Sequence, residues 1–560
     1  MAFNLADLAE HTADVVPDRT ALICGDRKVT FGELDARANR LAHHLAAHGV
    51  GERDHVAIYS YNSIEYVEAM LAAYKLRAVP INVNYRYVED ELVYLFDNAD
   101  VVAVIYQASF SPRIAAVKDQ LPLLRHLVEI DDGTLDPTPT GAVRYEVALA
   151  SQTADRDFEP RDDGDLYVLY TGGTTGMPKG VMWRHEDVWR TLGGGIDFVT
   201  GERITDEYQL ARVAGEAEPP IGLVLAPLMH GAAQWGTLGG LFKGITTVLL
   251  PRFDPHLVWA AVERYRIAVI TITGDAMARP LIDALVERTY DTSGLVAISS
   301  TAAVFSPIVK DQLFELLPNV FITEAVGSSE GGFNGMRLVD KGNTSGGNGG
   351  GLINVPLGPD SKIIDADNKP VKRGEIGRLA RGGNVPIGYY KDPAKTAATF
   401  IDVEGERHSV PGDFARLELD GTMTLLGRGS QCINSGGEKI YPEEVESALK
   451  AHPKVFDALV LGIDDDRWGQ RVAAVVQPRV GEVPTLEELV AFCQTKLARY
   501  KAPRELHLVD EMPRHPSGKP DYKRARDVIE SATQLLGASE PLAAAGTGPE
   551  PALPVPEDHA

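Results

Sequence analysis

Short apolar runs alternate with amphipathic stretches from residue 20 to about 330. Thr30-Phe-Gly-Glu33 sets a hydroxyl cap three residues before a glutamate, the signature of a helix start. Leu34, Ala38, Leu41 and Leu45 then share one helical face, and Gly49 stops the run. Runs rich in β-branched residues predict strands at 56–59, 101–106, 222–226, 246–250, 268–272 and 320–323. Helical patterns lie between most of them, at 64–76, 255–266 and 307–317. Such alternation predicts parallel sheets covered by helices, an α/β fold.

After Arg428 the texture changes. Glu443, Glu444 and Glu446 open a helix over 442–452, where the helix dipole favours acidic side chains. Strand-like runs follow at 456–463 and 472–477, then a helix over about 485–499 and a strand at 505–509. The expected layout is a large N-terminal domain of helix-covered β-sheets over 1–428 and a small α+β C-terminal domain over 429–533, hinged near 428–430. Residues 534–560 carry alanines, acidic residues and prolines without apolar periodicity, which predicts a disordered tail. The Gly, Asn, Ser and Thr of 341–351 predict a mobile loop that needs no ligand.

A chain of 560 residues exceeds what one hydrophobic core usually serves, in line with that division. No apolar run approaches the roughly 18–20 residues that span a bilayer, and the N-terminus lacks the basic start and apolar stretch of a signal peptide. Cys24, Cys432 and Cys493 are too scattered for a disulfide framework or a zinc site, so a reducing cytoplasm is expected. The formal net charge of −24 argues against a nucleic-acid partner and against anionic lipid surfaces. It leaves a nucleotide substrate open, since local cations decide that.

The most informative stretch is Tyr170-Thr-Gly-Gly-Thr-Thr-Gly-Met-Pro-Lys-Gly-Val181, directly after an apolar run at 166–169. Small residues leave amides and hydroxyls free to surround phosphate oxygens, and Lys179 offsets their charge. It is not a Walker A loop: Met177 and Pro178 separate Gly176 from Lys179, and Gly180 occupies the hydroxyl position. A second pattern, Gly327-Ser-Ser329-Glu-Gly331, satisfies the nucleophile-elbow spacing of hydrolases. An elbow needs a helix immediately after the serine, whereas Gly331-Gly-Phe-Asn-Gly runs toward a glycine-rich loop.

The phosphate-loop segment resembles that of the adenylate-forming superfamily, which includes acyl-CoA synthetases, firefly-type luciferases and peptide-synthetase adenylation domains. Further segments match in order over roughly residues 20–530. Ala226-Pro-Leu-Met-His230 resembles the segment whose histidine lines the acyl pocket. Glu324 to Glu330 resembles the adenine-contacting segment, with Gly327, Ser328 and Ser329 leading to a glutamate, Glu330, that associates with magnesium. Gly374-Glu-Ile-Gly-Arg-Leu with Gly388-Tyr-Tyr resembles the next motif. The resemblance assigns Asp413 to the ribose hydroxyls, Arg428 to ribose and phosphates, and Gly436-Gly437 to the thiol tunnel. Lys519, in Pro-Ser-Gly-Lys, is the lysine of adenylation. Thr171, Gly172, Gly173, Thr174, Thr175, Gly176, Met177, Pro178 and Lys179 would hold the β- and γ-phosphates. Two positions depart from the family: Ser430 at the hinge, where Asp or Lys is frequent, and Val326, where an aromatic ring often stacks on adenine.

The implied reaction joins a carboxylic acid to the thiol of CoA through an acyl-adenylate, with ATP and Mg2+, releasing pyrophosphate and AMP. Transfer of the acyl group to a carrier protein or to oxygen, and a non-catalytic nucleotide-binding homologue, are the alternatives. In the family the small domain rotates between the two half-reactions; a homodimer is allowed. His230 to Gly240 is rich in glycine and alanine, which either leaves room for a bulky or long apolar acid or reflects close helix packing. The wording at 180–184, 273–280 and 427–430 resembles actinobacterial acyl-CoA synthetases, especially the branch acting on cholesterol side-chain carboxylates of the 3-oxocholest-4-en-26-oate type.

Overall fold

The computed structural model describes residues 3–135, 137–171, 177–196, 202–303, 305–344, 352–435, 438–465, 468–515 and 518–537. Two large open sheets dominate the first part of the chain. Strands Thr20–Cys24, Thr247–Leu249, Gly222–Val224, Val269–Ile272, Ala297–Thr301 and Phe321–Ser328 run parallel, side by side. Antiparallel strands Arg27–Thr30 and Gly332–Val339 close its two edges. A second, all-parallel sheet orders Val79–Asn82, His55–Tyr59, Val101–Gln107, His126–Ile130 and Val143–Arg144. His55–Tyr59 and Val101–Gln107 are buried along their whole length, as strands packed on both faces must be.

The Thr30 capping box is present in both directions, and helix Phe31–Ala47 buries Leu34, Ala38, Leu41 and Leu45. Helix Ile64–Lys75 is buried all round, and its Lys75 ammonium is compensated by Glu10 and Asp35 (2.7 Å to Asp35). That ion cluster fastens the N-terminal helix Leu5–Val15 to the two helices beneath it.

Between the open sheets lies a small antiparallel sheet of Leu166–Thr171, Lys179–Arg184 and Gly388–Tyr389. Residues 354–428 form a further antiparallel sheet that the apolar pattern does not announce, because its strands are short and two-sided. Strands Ile433–Ser435, Glu438–Ile440, Val455–Asp465, Gly469–Pro478 and Glu505–Leu508 make the last sheet, with helices Pro442–Lys450 and Tyr522–Gly537 packed against it.

Three expectations change. The helix expected over 485–499 is Leu486–Gln494, followed by a short 3-10 turn at Arg499–Lys501. Thr495 turns its hydroxyl onto the Phe492 carbonyl, a local bond that competes with the helical ladder. Helix Tyr522–Gly537 continues past residue 534, where the tail was expected to begin; residues 538–560 lie outside the described residues. The strand expected at 320–323 extends to Ser328, because Gly332–Val339 folds back and pairs with it. Of the loop expected at 341–351, residues 345–351 also lie outside the described residues.

Lys75→Ala removes the ammonium between buried Glu10 and half-buried Asp35, which keep Arg161 and Arg156 as partners, so the loss falls toward the lower end of the roughly 3–5 kcal/mol of a broken buried pair. Urea unfolding monitored by circular dichroism checks this, and an unchanged midpoint contradicts it.

Candidate active site

Strand Leu166–Thr171 turns back as Lys179–Arg184, with Thr171 paired to Lys179. Gly180 is dictated by packing: a Cβ there would lie 2.7 Å from the Tyr170 ring. Gly172 to Gly176 lie outside the described residues; Met177 is exposed, and the Pro178 carbonyl accepts from the Tyr94 hydroxyl at 3.2 Å. The Lys179 ammonium is ion-paired with Asp392, the cap of helix Pro393–Thr399. Lys179 is expected to offset phosphate charge, and its partner Asp392 was missed. No sequence signal links residues 213 positions apart.

Asn82, at the end of its strand, exchanges bonds with the Tyr170 backbone (2.8 Å each way) and donates to the Met229 carbonyl at 2.7 Å. Asn62 accepts from Leu228 N at 2.6 Å and donates to the Ala226 carbonyl at 3.2 Å. These amides lock the 226–230 segment beside the phosphate-loop strand. The sequence reading missed both, although Asn82, a polar residue ending the apolar strand Val79–Asn82, carries a legible signal. His230 follows as the N-cap of helix Gly231–Phe242. Its Nε2 is buried without a partner. Burial, then the charges of Lys519 and His515, push its pKa down to about 3, so the ring is neutral at pH 7.

Gly327 and Ser328 end strand Phe321–Ser328, and Ser329 to Gly331 turn the chain into Gly332–Val339. Ser328 Oγ accepts from Gly331 N at 2.9 Å, and the Ser329 carbonyl accepts from Trp183 Nε1 at 3.0 Å. Strand–turn–strand rules out the nucleophile elbow, which requires strand–turn–helix. Trp183 belongs to strand Lys179–Arg184, so the turn is tied to the phosphate-loop sheet. Glu330 is buried, its Oε1 accepting from the Tyr389 hydroxyl at 3.0 Å. Val326 packs inward with Val355, Ile363, Leu379, Ala415 and Met423. It offers no face for stacking.

Asp413 and Arg428 are directly opposed on antiparallel strands, Nε to Oδ1 3.4 Å. Burial raises the Asp413 pKa; Arg428 opposes that rise and Glu330 adds to it. Lys519 joins this group from the far end of the chain. Its pKa is lowered by burial and then by Arg428, while Glu330 and Asp413 pull it up. The residue is nonetheless exposed to solvent, so this shift is screened in part.

The Lys519 hairpin is itself anchored. His515 N donates to the Lys519 carbonyl at 2.9 Å. Arg514 forks onto Asp457 (2.6 and 2.8 Å) and donates to the Gly518 carbonyl at 2.8 Å. Gly518, at φ +76°, sits where a Cβ would lie 2.6 Å from Thr273 Oγ1, at the start of helix Gly274–Glu287. Close approach and a left-handed backbone both require glycine here. Arg514 and Asp457 are further residues that the sequence reading missed.

Gly436 and Gly437 lie outside the described residues, as does the Ser430 side chain; Ser430 itself belongs to the 3-10 turn Gly429–Gln431. Just before it, Gly427 (φ +113°) leaves room for the carboxyl of Glu443. Burial, then Glu446, pushes the Glu443 pKa up to about 8, with Asp413 adding to the rise.

Small residues in helix Gly231–Phe242 are mostly a matter of packing. A Cβ on Gly231 would meet Leu169 at 2.6 Å, on Gly240 Thr247 at 2.9 Å, and on Gly236 Val224 at 3.1 Å. Only Gly239 of these four has space, its nearest atom being the Gly193 carbonyl at 4.0 Å.

Two outcomes follow from this geometry. Gly518→Ala should strain the hairpin by about 1–3 kcal/mol and slow pyrophosphate exchange while sparing thiolysis of a supplied acyl-adenylate; equal rates in wild type and variant contradict it. The folded protein holds a proton on Glu443 up to about pH 8, whereas an unfolded glutamate releases it near 4.5. Stability should therefore fall as pH rises between those values. Glu443→Gln should flatten the decline, as read from melting temperature against pH.

Residues 9–390 match the AMP-binding enzyme family and 444–519 its C-terminal domain. The chain is 51% identical over 559 residues to a 3-oxocholest-4-en-26-oate–CoA ligase of Rhodococcus rhodochrous, covering 98% of this chain and 100% of the relative. It is 50% identical over 535 residues to a medium/long-chain-fatty-acid–CoA/3-oxocholest-4-en-26-oate–CoA ligase of Mycobacterium tuberculosis (95% and 97%). The fold matches an anthranilate CoA ligase, AuaEII, in complex with anthranoyl-AMP, at TM-score 0.82 and 22% identity over 95% of this chain and 98% of that one. The α/β fold, with a large first part and a smaller C-terminal part, is that of these ligases. The protein is an enzyme of the AMP-binding family, the adenylate-forming superfamily.

Proposed function

We propose that the enzyme is an ATP-dependent acid–CoA ligase for a bulky or long-chain apolar carboxylate, a steroid side-chain acid or a fatty acid. The observation that carries this reading is half identity, over nearly the whole chain, to ligases named for those acids. The juxtaposition of Lys519 with Asp413, Arg428 and Glu330 supports the same chemistry. Gly239 supports a roomy acyl site, since it leaves space against the 189–195 segment.

A carboxylate and the α-phosphate of ATP repel, so positive charge must meet them where they react. Lys519 supplies it, delivered by its hairpin. Asp413 takes the ribose hydroxyls and Arg428 the ribose and phosphates. Thr171 to Lys179 hold the β- and γ-phosphates once Lys179 exchanges Asp392 for them. His230, neutral, walls the acyl end without adding a charge that would compete with Lys519. Glu330 fits Mg2+, being one buried hard oxygen donor beside phosphates that complete the shell; the ion would neutralise phosphate charge. The carbonyl of the acyl-adenylate is then open to the CoA thiol, and AMP leaves.

For that second step the domain over 429–533 turns about Ser430 and withdraws Lys519, a hinge motion, while Gly436 and Gly437 line the thiol's path. The domain over 1–428 stays in place. A cytoplasmic setting belongs to this reading: no disulfide joins the three cysteines. Among the described residues no helix is long and apolar enough to cross a membrane.

A panel of steroid and fatty acids, assayed for pyrophosphate release and CoA thioester, tests the proposal. Pyrophosphate without thioester points to a carrier-protein acceptor, and ATP binding without pyrophosphate overturns catalysis altogether. Lys519→Ala should raise the adenylation barrier by about 2–4 kcal/mol, the scale for one lost transition-state donor, while thiolysis of pre-formed acyl-adenylate proceeds. Equal loss in both steps contradicts the rotation.

A further inference from the structure

Three imidazoles meet on elements that contribute nothing to the nucleotide cleft. His44 lies in the last turn of helix Phe31–Ala47, His48 is the residue that ends it, and His126 opens strand His126–Ile130. His44 and His126 are buried; His48 is exposed. One ring nitrogen from each lies within 4.8 Å of the others.

The two buried rings face each other through Nε2, 2.9 Å apart. Two nitrogens bound to one ion at about 2.0–2.1 Å stand about 2.9–3.4 Å apart for bond angles between square and tetrahedral. The observed spacing is that of adjacent ligands. The third ring lies over the pair, stacked on His126 with centroids 4.0 Å and planes 18° apart. His48 Nδ1 lies 2.7 Å from the His44 carbonyl, which can only accept, so the proton sits on Nδ1 and the Nε2 lone pair is free. Arg125, the residue before His126, is engaged by the Gly49 carbonyl (2.6 Å) and Asp54 (2.7 Å).

We propose that His44, His48 and His126 form a site for a divalent transition metal of the Zn2+, Co2+ or Ni2+ class, separate from the nucleotide cleft. Three nitrogens without a carboxylate suit these borderline ions and not Mg2+ or Ca2+. The buried pair forms the floor, His48 closes the solvent side by turning off the His126 ring and releasing the His44 carbonyl, and water completes the shell. Bound there, the ion fastens the end of helix Phe31–Ala47 to the start of strand His126–Ile130 in the second sheet. Its effect is on stability, with no part in acyl transfer.

Full-length protein stripped with EDTA, then titrated with Zn2+ against a chromophoric chelator, tests the site; Co2+ adds its visible absorption as a readout of nitrogen ligation. One equivalent should bind and raise the melting temperature. His48→Ala, a substitution at an exposed position, should keep the fold and weaken binding at least about tenfold, the lower bound for losing one element of a metal's ligation. His126→Gln should abolish it. Absence of binding by the wild type overturns the proposal and leaves the pair as an imidazole N–H···N bond. Equal binding by wild type and His48→Ala also overturns it, because the metal then sits elsewhere.

Discussion

The active cleft depends on one ammonium group carried in from more than 90 positions beyond the groups it faces. Lys519 has no place among Asp413, Arg428 and Glu330 unless Gly518 lies against the start of helix Gly274–Glu287. That contact tolerates no side chain at Gly518. Arg514 sets the hairpin from within, gripping Asp457 in the neighbouring strand and the Gly518 carbonyl together. A withdrawable lysine is a physical answer to a two-step reaction: the charge that unites two anions would obstruct an incoming thiol.

The receiving surface is built differently, from rigid elements tied by neutral amides. Asn62 and Asn82 hold the His230 segment to the phosphate-loop strand, and Trp183 holds the Glu330 turn to the same small sheet. Buried backbone groups near a ligand must be paired or they cost about 1–3 kcal/mol each. Amide side chains pair them without introducing charge, so the field in the cleft belongs to Lys519, Arg428, Asp413 and Glu330. Lys179 is held apart from that group by Asp392.

Much of the first two sheets was legible because their strands are buried on both faces and their helices are amphipathic. The Thr30 capping box and the strand at 101–107 show this directly. The antiparallel sheet of 354–428 was not legible: strands such as Ser361–Ile364 and Glu406–Ser409 are four residues long, with apolar residues on no fixed period. At the cleft, the motif residues were readable by type and spacing. Their partners were not, since Asp392, Tyr389, Asp457 and Asn82 act across long sequence distances. The glycines of helix Gly231–Phe242 also misled, because composition cannot separate room for a ligand from room for a neighbouring Leu169, Val224 or Thr247.

A crystal structure with a non-hydrolysable acyl-adenylate mimic, an acyl-sulfamoyl adenosine, tests the central claim most directly. The account predicts the ribose hydroxyls on the Asp413 carboxylate and Lys519 Nζ within hydrogen-bonding distance of the mimic's acyl carbonyl or sulfamoyl oxygens. A mimic bound with its ribose away from Asp413, or with Lys519 facing bulk solvent, would contradict it.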